Sequence, residues 1–405
     1  MSPAAAWAQT ATPRNRVCTV RAHTSPLVEL RIRWDHPGRL KRGLAADRVL
    51  AERVMDLASS ARSGVLAASH LTAHANDHRF GIAASCWRDG WSDLLQAILA
   101  LLTQNVVSDQ QAAVIGRRTT RDLLHRRNGL DTVADRECLR ILLGDSRPFD
   151  TEDAIQASVT AKDVAEAQHR LRTTRPLLVL VGDLDPQPVA ELAASLLDRA
   201  HPEPGLIAQT QHESAGHELG GCARRVWHVT TRDDRSACRL ATAVPNQPQH
   251  ERVIADIAAH LIGDPSTGLL TDRLRTQLGW SYDVRCQIDD MGLWRVLTCK
   301  AIVASHNADR AGAEMRTIAG AELVRHIQAP GMLEQARAAV AASRLLVNAS
   351  PSGWASDLVK SLAAGVHADD AVRVVEQIRS VSISEMSDFI RRSLVDVDQR
   401  MGDRR

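Results

Sequence analysis

The chain has 405 residues, more than one ordinary hydrophobic core accommodates, so two domains are expected. Its hydrophobic content of 44% and its charged content of 24% are typical of a soluble globular protein. A net charge of +2 gives no electrostatic reason for nucleic acid or an anionic membrane to be a main partner.

The first half of the sequence mixes strand-like and helix-like segments. Alternating branched residues predict strands, whereas apolar residues spaced three to four apart predict helices. Thr160 and Asp163 have the spacing of a capping box at the start of a helix. The predicted elements are strands 17–23 and 27–34, helix 43–61, strands 64–70 and 78–87, helices 91–102, 109–127 and 161–172, a buried strand 175–183, and helix 187–200.

A change of composition divides the chain. Residues 201–224 contain several prolines and glycines without periodicity, which predicts a linker. Strands then follow at 225–229, 236–244, 281–287 and 293–303, and helices at 250–261, 269–278, 308–327, 331–347, 352–364, 369–380 and 384–394.

This order of elements predicts an α+β fold with two similar domains, each an antiparallel sheet with helices packed on one face. We place these domains at residues 17–200 and 225–395. Residues 1–16 are expected to be disordered or loosely attached, and residues 396–405 to form a polar tail.

The cysteines and the apolar segments bear on the compartment. The seven cysteines are scattered and form no C-x-x-C pair, which predicts a reducing compartment such as the cytoplasm and argues against disulfides or structural zinc. The N-terminus has no basic segment followed by a long apolar run, so no cleaved signal is expected. No stretch approaches about 18 uninterrupted apolar residues, so no membrane span is expected.

Two sets of histidines were weighed as metal ligands. His70, His74 and His78 lie four apart; on a helix they would share a face, but in a strand each step spans about 13 Å, too far for one ion. His212-Glu213-Ser214-Ala215-Gly216-His217 has one residue too many for the H-E-x-x-H zinc pattern. We interpret both sets as loop or surface histidines.

Tyr282 is the only tyrosine in the chain, and it follows Arg275 by seven residues. A phenol and a guanidinium can both donate hydrogen bonds to a carbonyl oxygen or an oxyanion. The pair is therefore a candidate binding site. In the alternative interpretation, Arg275 pairs with Asp272 or Asp283, and Tyr282 packs in a strand.

The surroundings of this pair resemble a known family. Leu274-Arg275, Gly279 and Ser281-Tyr282-Asp283-Val284, preceded by Ser266-Thr267-Gly268-Leu269-Leu270, are similar to a substrate-binding motif of the M16 peptidases, the pitrilysin group that includes mitochondrial processing peptidase. Val179–Pro186 and Asn76-Asp77-His78 add weaker matches. The resemblance covers residues 17–395. It implies an M16B-type chain with two LuxS/MPP-like domains, in which Arg275 and Tyr282 bind substrate.

The chain departs from this family where active members carry H-x-x-E-H. After Gly43-Leu44-Ala45, the zinc-ligand positions fall on Ala46 and Leu50, and the general-base position falls on Val49. No histidine lies between His36 and His70, and no glutamate between Glu52 and Glu137. Alanine and leucine offer no lone pair to a metal, so no zinc is expected in this chain.

The resemblance therefore implies a non-catalytic, substrate-binding subunit of a heterodimeric zinc metallopeptidase, inactive alone. Its partner would be a homologous M16B subunit with H-x-x-E-H, which would hold the zinc, and its substrates would be peptides, including leader or pro-peptides. Two other hypotheses remain: a non-enzymatic scaffold or peptide-binding protein of the same fold, and a self-sufficient hydrolase that uses His70, His74 and His78.

Overall fold

The computed structural model describes residues 7–11, 16–23, 25–35, 41–76, 79–104, 107–127, 129–143, 159–200, 224–245, 249–291 and 294–395. The strands are β1 Trp7–Ala11, β2 Arg16–Arg21, β3 Leu27–Asp35, β4 His70–Asn76, β5 Arg79–Trp87, β6 Leu177–Gly182, β7 Arg224–Arg232, β8 Arg235–Pro245, β9 Val284–Met291 and β10 Trp294–Ala304.

The helices are α1 Lys41–Ser60, α2 Gly64–Ala67, α3 Trp91–Gln104, α4 Asp109–Arg127, α5 Leu130–Leu143, α6 Ala161–Thr173, α7 Pro186–Ala200, α8 Gln249–Gly263, α9 Ala308–Thr317, α10 Leu323–Gln328, α11 Met332–Asn348, α12 Pro351–Ala363, α13 Ala368–Val372, α14 Val374–Ser380 and α15 Ile383–Ile390. Three segments are π-helical: Thr271–Gln277, Ile318–Glu322 and Arg391–Val395. No helix in the described part of the chain is long and apolar enough to cross a membrane.

The chain divides into two compact units, and each takes segments from both halves of the sequence. Unit 1 comprises Met1–Leu124, Asp150–Gln211 and Leu346–Val372. Unit 2 comprises His125–Phe149, His212–Leu345 and Arg373–Arg405. Helix α5 therefore belongs to unit 2, although it lies in the first half of the sequence. Helices α12 and α13 belong to unit 1, although they lie in the second half.

Unit 1 is built on a six-stranded sheet with the order β1-β2-β6-β3-β5-β4. The two faces of β6 explain its continuous apolar sequence, because alternate side chains along a strand point to opposite faces. Leu178 and Leu180 pack in the core formed with α1, α3 and α7, whereas Val179 and Val181 pack against α12. This strand is therefore buried on both sides.

Unit 2 is built on a four-stranded antiparallel sheet with the order β7-β8-β10-β9. One face is covered by α8, α9, α10, α11, α14 and α15, and α5 covers part of the other. Two carboxylates hold α5 to the sheet: Asp135 accepts hydrogen bonds from Arg239 at 2.6 Å and Lys300 at 2.6 Å, and Asp131 pairs with Arg239 and Arg285. The fully buried Arg239 is thereby neutralised, as a buried charge requires.

The predicted α+β fold with two sheet-containing units is confirmed, and two details differ. Strand β6 lies between β2 and β3 in the sheet and is antiparallel to β3. Because β2 and β3 run in opposite directions, β2 is parallel to β6. Helices cover parts of both faces of each sheet, not one, because segments from the other half of the sequence supply the second layer.

Two local predictions also need correction, and one helix was missed. Residues 64–70 were expected to form a strand, but Gly64–Ala67 is a short helix, and the strand β4 begins at His70. In the N-terminus expected to be loosely attached, Trp7–Ala11 pairs with β2 as an edge strand, and Ala8 is buried. Helix α5 was not predicted. The linker assigned to 201–224 lies outside the described residues except for Arg224, and it stays a prediction.

Candidate functional site

Arg275 and Tyr282 lie in unit 2, on the connection between α8 and β9. The connection starts with a turn at Asp264, whose carboxylate accepts the backbone N–H groups of Ser266 and Thr267 at 2.9 Å each. The backbone carbonyl of Asp264 accepts the N–H of Gly268 at 3.0 Å. This hydrogen-bonded turn connects α8 to the π-helical segment Thr271–Gln277 and fixes the direction in which that segment starts.

The π-helical segment is held on its inner side by two leucines. Leu270 and Leu274 are fully buried in the core of unit 2. The carbonyl oxygen of Leu274 accepts the N–H groups of Trp280 at 2.8 Å and Ser281 at 3.2 Å. Gly279 has φ +62, a left-handed conformation that glycine adopts without steric cost and that ends the segment. The chain therefore turns back onto Leu274 just before Tyr282.

A chain of polar contacts runs along the segment. Arg273 donates to both carboxylate oxygens of Glu314, at 2.9 and 3.0 Å, and to the Gln277 side-chain oxygen at 2.8 Å. The Gln277 amide in turn donates to Asp272 at 2.7 Å. The hydrogen bonds and the charge of Glu314 raise the pKa of Arg273 above its ordinary value.

Arg275 and Tyr282 are left outside this set of contacts. Tyr282 is 90% exposed and lies before β9, not inside a strand. Arg275 is exposed and has no hydrogen-bond or ion-pair partner among the described residues. Asp272 is engaged by Gln277, and Asp283 lies 3.9 Å from Arg285. The alternative in which Arg275 pairs with Asp272 or Asp283 and Tyr282 packs in a strand is therefore not what the structure has.

Ala46 and Leu50, which the resemblance assigns to the zinc-ligand positions, and Val49, which it assigns to the general-base position, form part of the core of unit 1. On α1, Ala46 is 0%, Val49 1% and Leu50 0% exposed, and all three pack with the apolar residues of the sheet and α3. None carries a metal-binding atom. These residues do not fit a zinc ion.

No cluster of three or more His, Cys, Asp or Glu side chains that could hold a metal occurs in the described ranges. His70 and His74 lie on β4, four residues apart, which separates them by about 13 Å. Burial, followed by the charges of Arg79, Arg33 and Arg31, lowers the pKa of His74. His78 and the His212–His217 pair lie outside the described residues. The described histidines are thus not arranged as a zinc site.

The buried thiols are not arranged for nucleophilic chemistry either. Burial raises the pKa of Cys18 to about 12 and that of Cys86 to about 11. Reactive cysteines need the opposite shift, because the thiolate is the nucleophile. The free cysteines of the described residues are therefore core side chains.

Sequence reasoning missed the residues that hold the site in place. The Arg273–Glu314 pair joins positions 41 residues apart, and no local pattern indicates which acid an arginine will meet. The only local signal was the cluster Asp272, Arg273, Arg275 and Gln277, in which two arginines stand two apart with polar neighbours.

Comparisons with known proteins give the following. Residues 158–323 match the family described as the Peptidase M16 inactive domain. A protease from Helicobacter pylori has the same fold, with a TM-score of 0.75 and 13% identity over 96% of this chain and 97% of that one. A peptidase M16 inactive domain from Pseudomonas fluorescens gives a TM-score of 0.70 and 14% identity over 96% and 95%.

Pitrilysin is also similar, with a TM-score of 0.69 and 15% identity over 96% of this chain, which spans 42% of pitrilysin. Comparison with curated protein sequences gives no match. At these identities the structures show the fold alone. The region similar to the Peptidase M16 inactive domain includes Arg275 and Tyr282, and the solved structures share the fold of the chain.

Proposed function

We propose that this chain is a non-catalytic, M16B-type subunit that binds peptide substrate for a zinc-bearing partner. One contrast carries the proposal. The zinc positions on α1 are replaced by buried apolar side chains, whereas Arg275 and Tyr282 are exposed and unengaged by described residues. A chain that has lost the metal but keeps exposed donors is suited to completing a site whose metal lies in another chain.

The two donors have a direct chemical use. Arg275 carries a permanent positive charge, and Tyr282 has a phenolic O–H; both can donate to the carbonyl oxygens of a bound peptide. As water attacks the peptide carbonyl, negative charge develops on its oxygen, and donors placed there stabilise the transition state more than the ground state. The partner's zinc would activate the water. Residues of this chain hold the peptide and stabilise the developing charge.

The proposal also specifies the assembly and the compartment. The partner is a homologous chain with H-x-x-E-H, the pair is a heterodimer, and the substrates are peptides, with leader or pro-peptides as the first to test. Six cysteines among the described residues are free thiols, which supports a reducing compartment such as the cytoplasm. A scaffold without catalytic partner would have no use for an Arg/Tyr pair exposed beside a closed turn.

The test compares variants in the assembled pair. The partner is obtained by co-purification of this chain with the product of a neighbouring gene that encodes H-x-x-E-H, and cleavage is followed with a library of fluorogenic peptides. Losing one charge-assisted donor costs roughly 1.5–3 kcal/mol, so Arg275→Ala should lower kcat/KM about 10- to 150-fold without preventing assembly. Tyr282→Phe removes only the hydroxyl and should lower it by less.

Arg325→Ala is the matched control. Arg325 is an exposed arginine of the same unit, 4.0 Å from Glu322, and its loss removes the same charge from the surface. It should leave cleavage unchanged. If Arg275→Ala and Tyr282→Phe also cleave at the wild-type rate, the Arg/Tyr pair is not a substrate site, and the scaffold hypothesis takes its place.

A further inference from the structure

The segment that carries Arg275 is too short to be stable as a helix by itself. Thr271–Gln277 is seven residues long, and helices of this length are not stable by hydrogen bonding alone. Its π-helical winding is rare and occurs frequently at functional sites. Leu270 and Leu274 bury its inner side, but apolar contact is non-directional and does not fix the rotation of the segment. A directional contact is needed to decide where Arg275 points.

Arg273 supplies that directional contact. Its guanidinium donates hydrogen bonds to both carboxylate oxygens of Glu314, at 2.9 and 3.0 Å. Such a bidentate pair fixes the relative orientation of the two side chains as well as their distance. Through Gln277 the same side chain is linked to Asp272, so polar contacts span the segment from its second residue to its last.

Glu314 is itself on a rigid support. Helix α9 buries Ala311 and Met315 in the core of unit 2. At Gly312 a Cβ atom would come within 2.3 Å of the Trp227 ring, so glycine lets the helix lie directly on that indole. The guanidinium of Arg316 lies 5.4 Å from the centre of the same ring. The position of Glu314 is therefore set by packing.

The pair also keeps acidic groups away from Arg275. In the i→i+5 winding of a π-helix, Asp272 lies beside Gln277, five residues later, and accepts a hydrogen bond from its amide. Glu314 accepts from Arg273. The carboxylates that flank the segment are thus occupied, and Arg275 stays available.

We propose that Arg273 and Glu314 are positioning residues that orient the segment carrying Arg275 and, through the Leu274 carbonyl, the turn before Tyr282. This inference rests on the proposed function, because the orientation matters only if Arg275 and Tyr282 bind substrate. Neither Arg273 nor Glu314 touches the substrate. They act by fixing the residues that do.

The first test needs this chain alone. Glu314→Gln keeps the size of the side chain and removes its charge, and hydrogen exchange is measured on the peptide that covers 271–282. The amides of Leu278, Trp280 and Ser281, which bond to Arg273 and Leu274 carbonyls, should exchange about two- to fivefold faster. Glu334→Gln breaks an exposed Arg337 pair on α11 and should leave this peptide unchanged. Unchanged exchange in Glu314→Gln overturns the proposal.

The second test links orientation to catalysis in the assembled pair. Glu314→Gln should lower kcat about tenfold in the wild-type background, because small misplacements of a reacting group are costly. It should have no further effect in a background that carries both Arg275→Ala and Tyr282→Phe, in which neither donor is left to orient. An equal loss in both backgrounds refutes the link. If Arg275→Ala itself cleaves normally, the proposed function fails, whereas the exchange experiment still decides whether the pair holds the segment.

Discussion

Replacing Asp256 by asparagine tests how far unit 2 depends on a buried charge network. Asp256, on α8, accepts hydrogen bonds from Arg295 of β10 at 3.0 Å and from Arg344 of α11 at 2.6 Å. Arg295 also donates to Asp290 at 2.9 Å, and Arg252 does so at 3.0 Å. The network thus joins two helices to the edge of the sheet through two carboxylates and three guanidinium groups.

The magnitude follows from burial. The Asp256 side chain is 16% exposed and that of Arg295 is 6% exposed, so the substitution leaves two guanidinium groups short of a buried counter-charge. Removing one partner of a buried pair costs about 3–5 kcal/mol, and the remaining exposure places this site near the lower value. For a unit of 150–250 residues, about 3 kcal/mol lowers the melting temperature by roughly 6–12 °C.

The effect should depend on pH. Burial alone raises the pKa of Asp256, but the charges and hydrogen bonds of Arg295 and Arg344 outweigh it and hold the pKa below its ordinary value. Its stabilisation is therefore complete above the unfolded-state pKa of about 4 and is lost as the pH falls through the folded-state pKa. The difference between wild type and Asp256→Asn should be full at neutral pH and shrink in acid.

The assay is thermal and urea unfolding at pH 7 and at about pH 3. Asp388→Asn is the control, because Asp388 is 63% exposed and pairs only across one helical turn with Arg391. It should change stability by less than about 0.5 kcal/mol. If Asp256→Asn behaves like this control at pH 7, the network does not stabilise the unit, and the reasoning from buried charge is refuted.

Two further substitutions test the packing of each unit. Val49→Glu should destabilise unit 1 by at least about 3 kcal/mol in thermal unfolding, because it buries a carboxylate without a counter-charge. The triple variant that adds Ala46→His and Leu50→His should still bind no stoichiometric zinc by metal analysis, since zinc needs a third protein ligand and no glutamate lies between Glu52 and Glu137 to supply it. Gly263→Ala should lower the free energy of unfolding of unit 2 by about 1–3 kcal/mol, because a Cβ there would clash with the Cys286 backbone nitrogen. Gly116→Ala is the control: its Cβ would lie 3.8 Å from the nearest neighbouring atom, so the substitution should be neutral or stabilising. Equal stability of the two glycine variants would contradict the packing at Cys286.

Much of the fold was readable from local patterns. The continuous apolar run in residues 175–183 predicted a buried strand, and the structure has β6, Leu177–Gly182, between two layers. The capping box at Thr160 and Asp163 is present, with both reciprocal hydrogen bonds. These features were predictable because the physical cause lies within a few residues of the element itself.

The errors arose where the cause is distant in sequence. Helix α5 is held by Arg239 and Lys300, more than 100 residues later, and its own periodicity does not indicate which unit it joins. Strand β1 is a five-residue edge strand whose order comes from β2. The short apolar run 64–67 fits either a strand or a helical turn, and the tertiary context selected the turn.

The candidate site likewise has features that local sequence predicts and features that depend on distant residues. The sequence showed the seven-residue spacing of Arg275 and Tyr282, and it showed apolar residues, Ala46 and Leu50, at the positions that the resemblance assigns to zinc ligands. That both side chains are exposed, and that Arg273 rather than Arg275 meets the acid, required the arrangement of α9 against the π-helical segment. Sequence could name the candidates, and structure was needed to show which arginine is engaged by the protein itself.

In the proposed function, this chain contributes hydrogen-bond donors to a metal centre that lies in its partner. The most direct measurement is zinc content and peptide cleavage, determined side by side on this chain, on the H-x-x-E-H partner and on their mixture. We predict no stoichiometric zinc and no cleavage for this chain alone, zinc in the partner, and efficient cleavage only by the mixture. Stoichiometric zinc with cleavage by this chain alone, or a partner that cleaves as fast without it, would contradict the account.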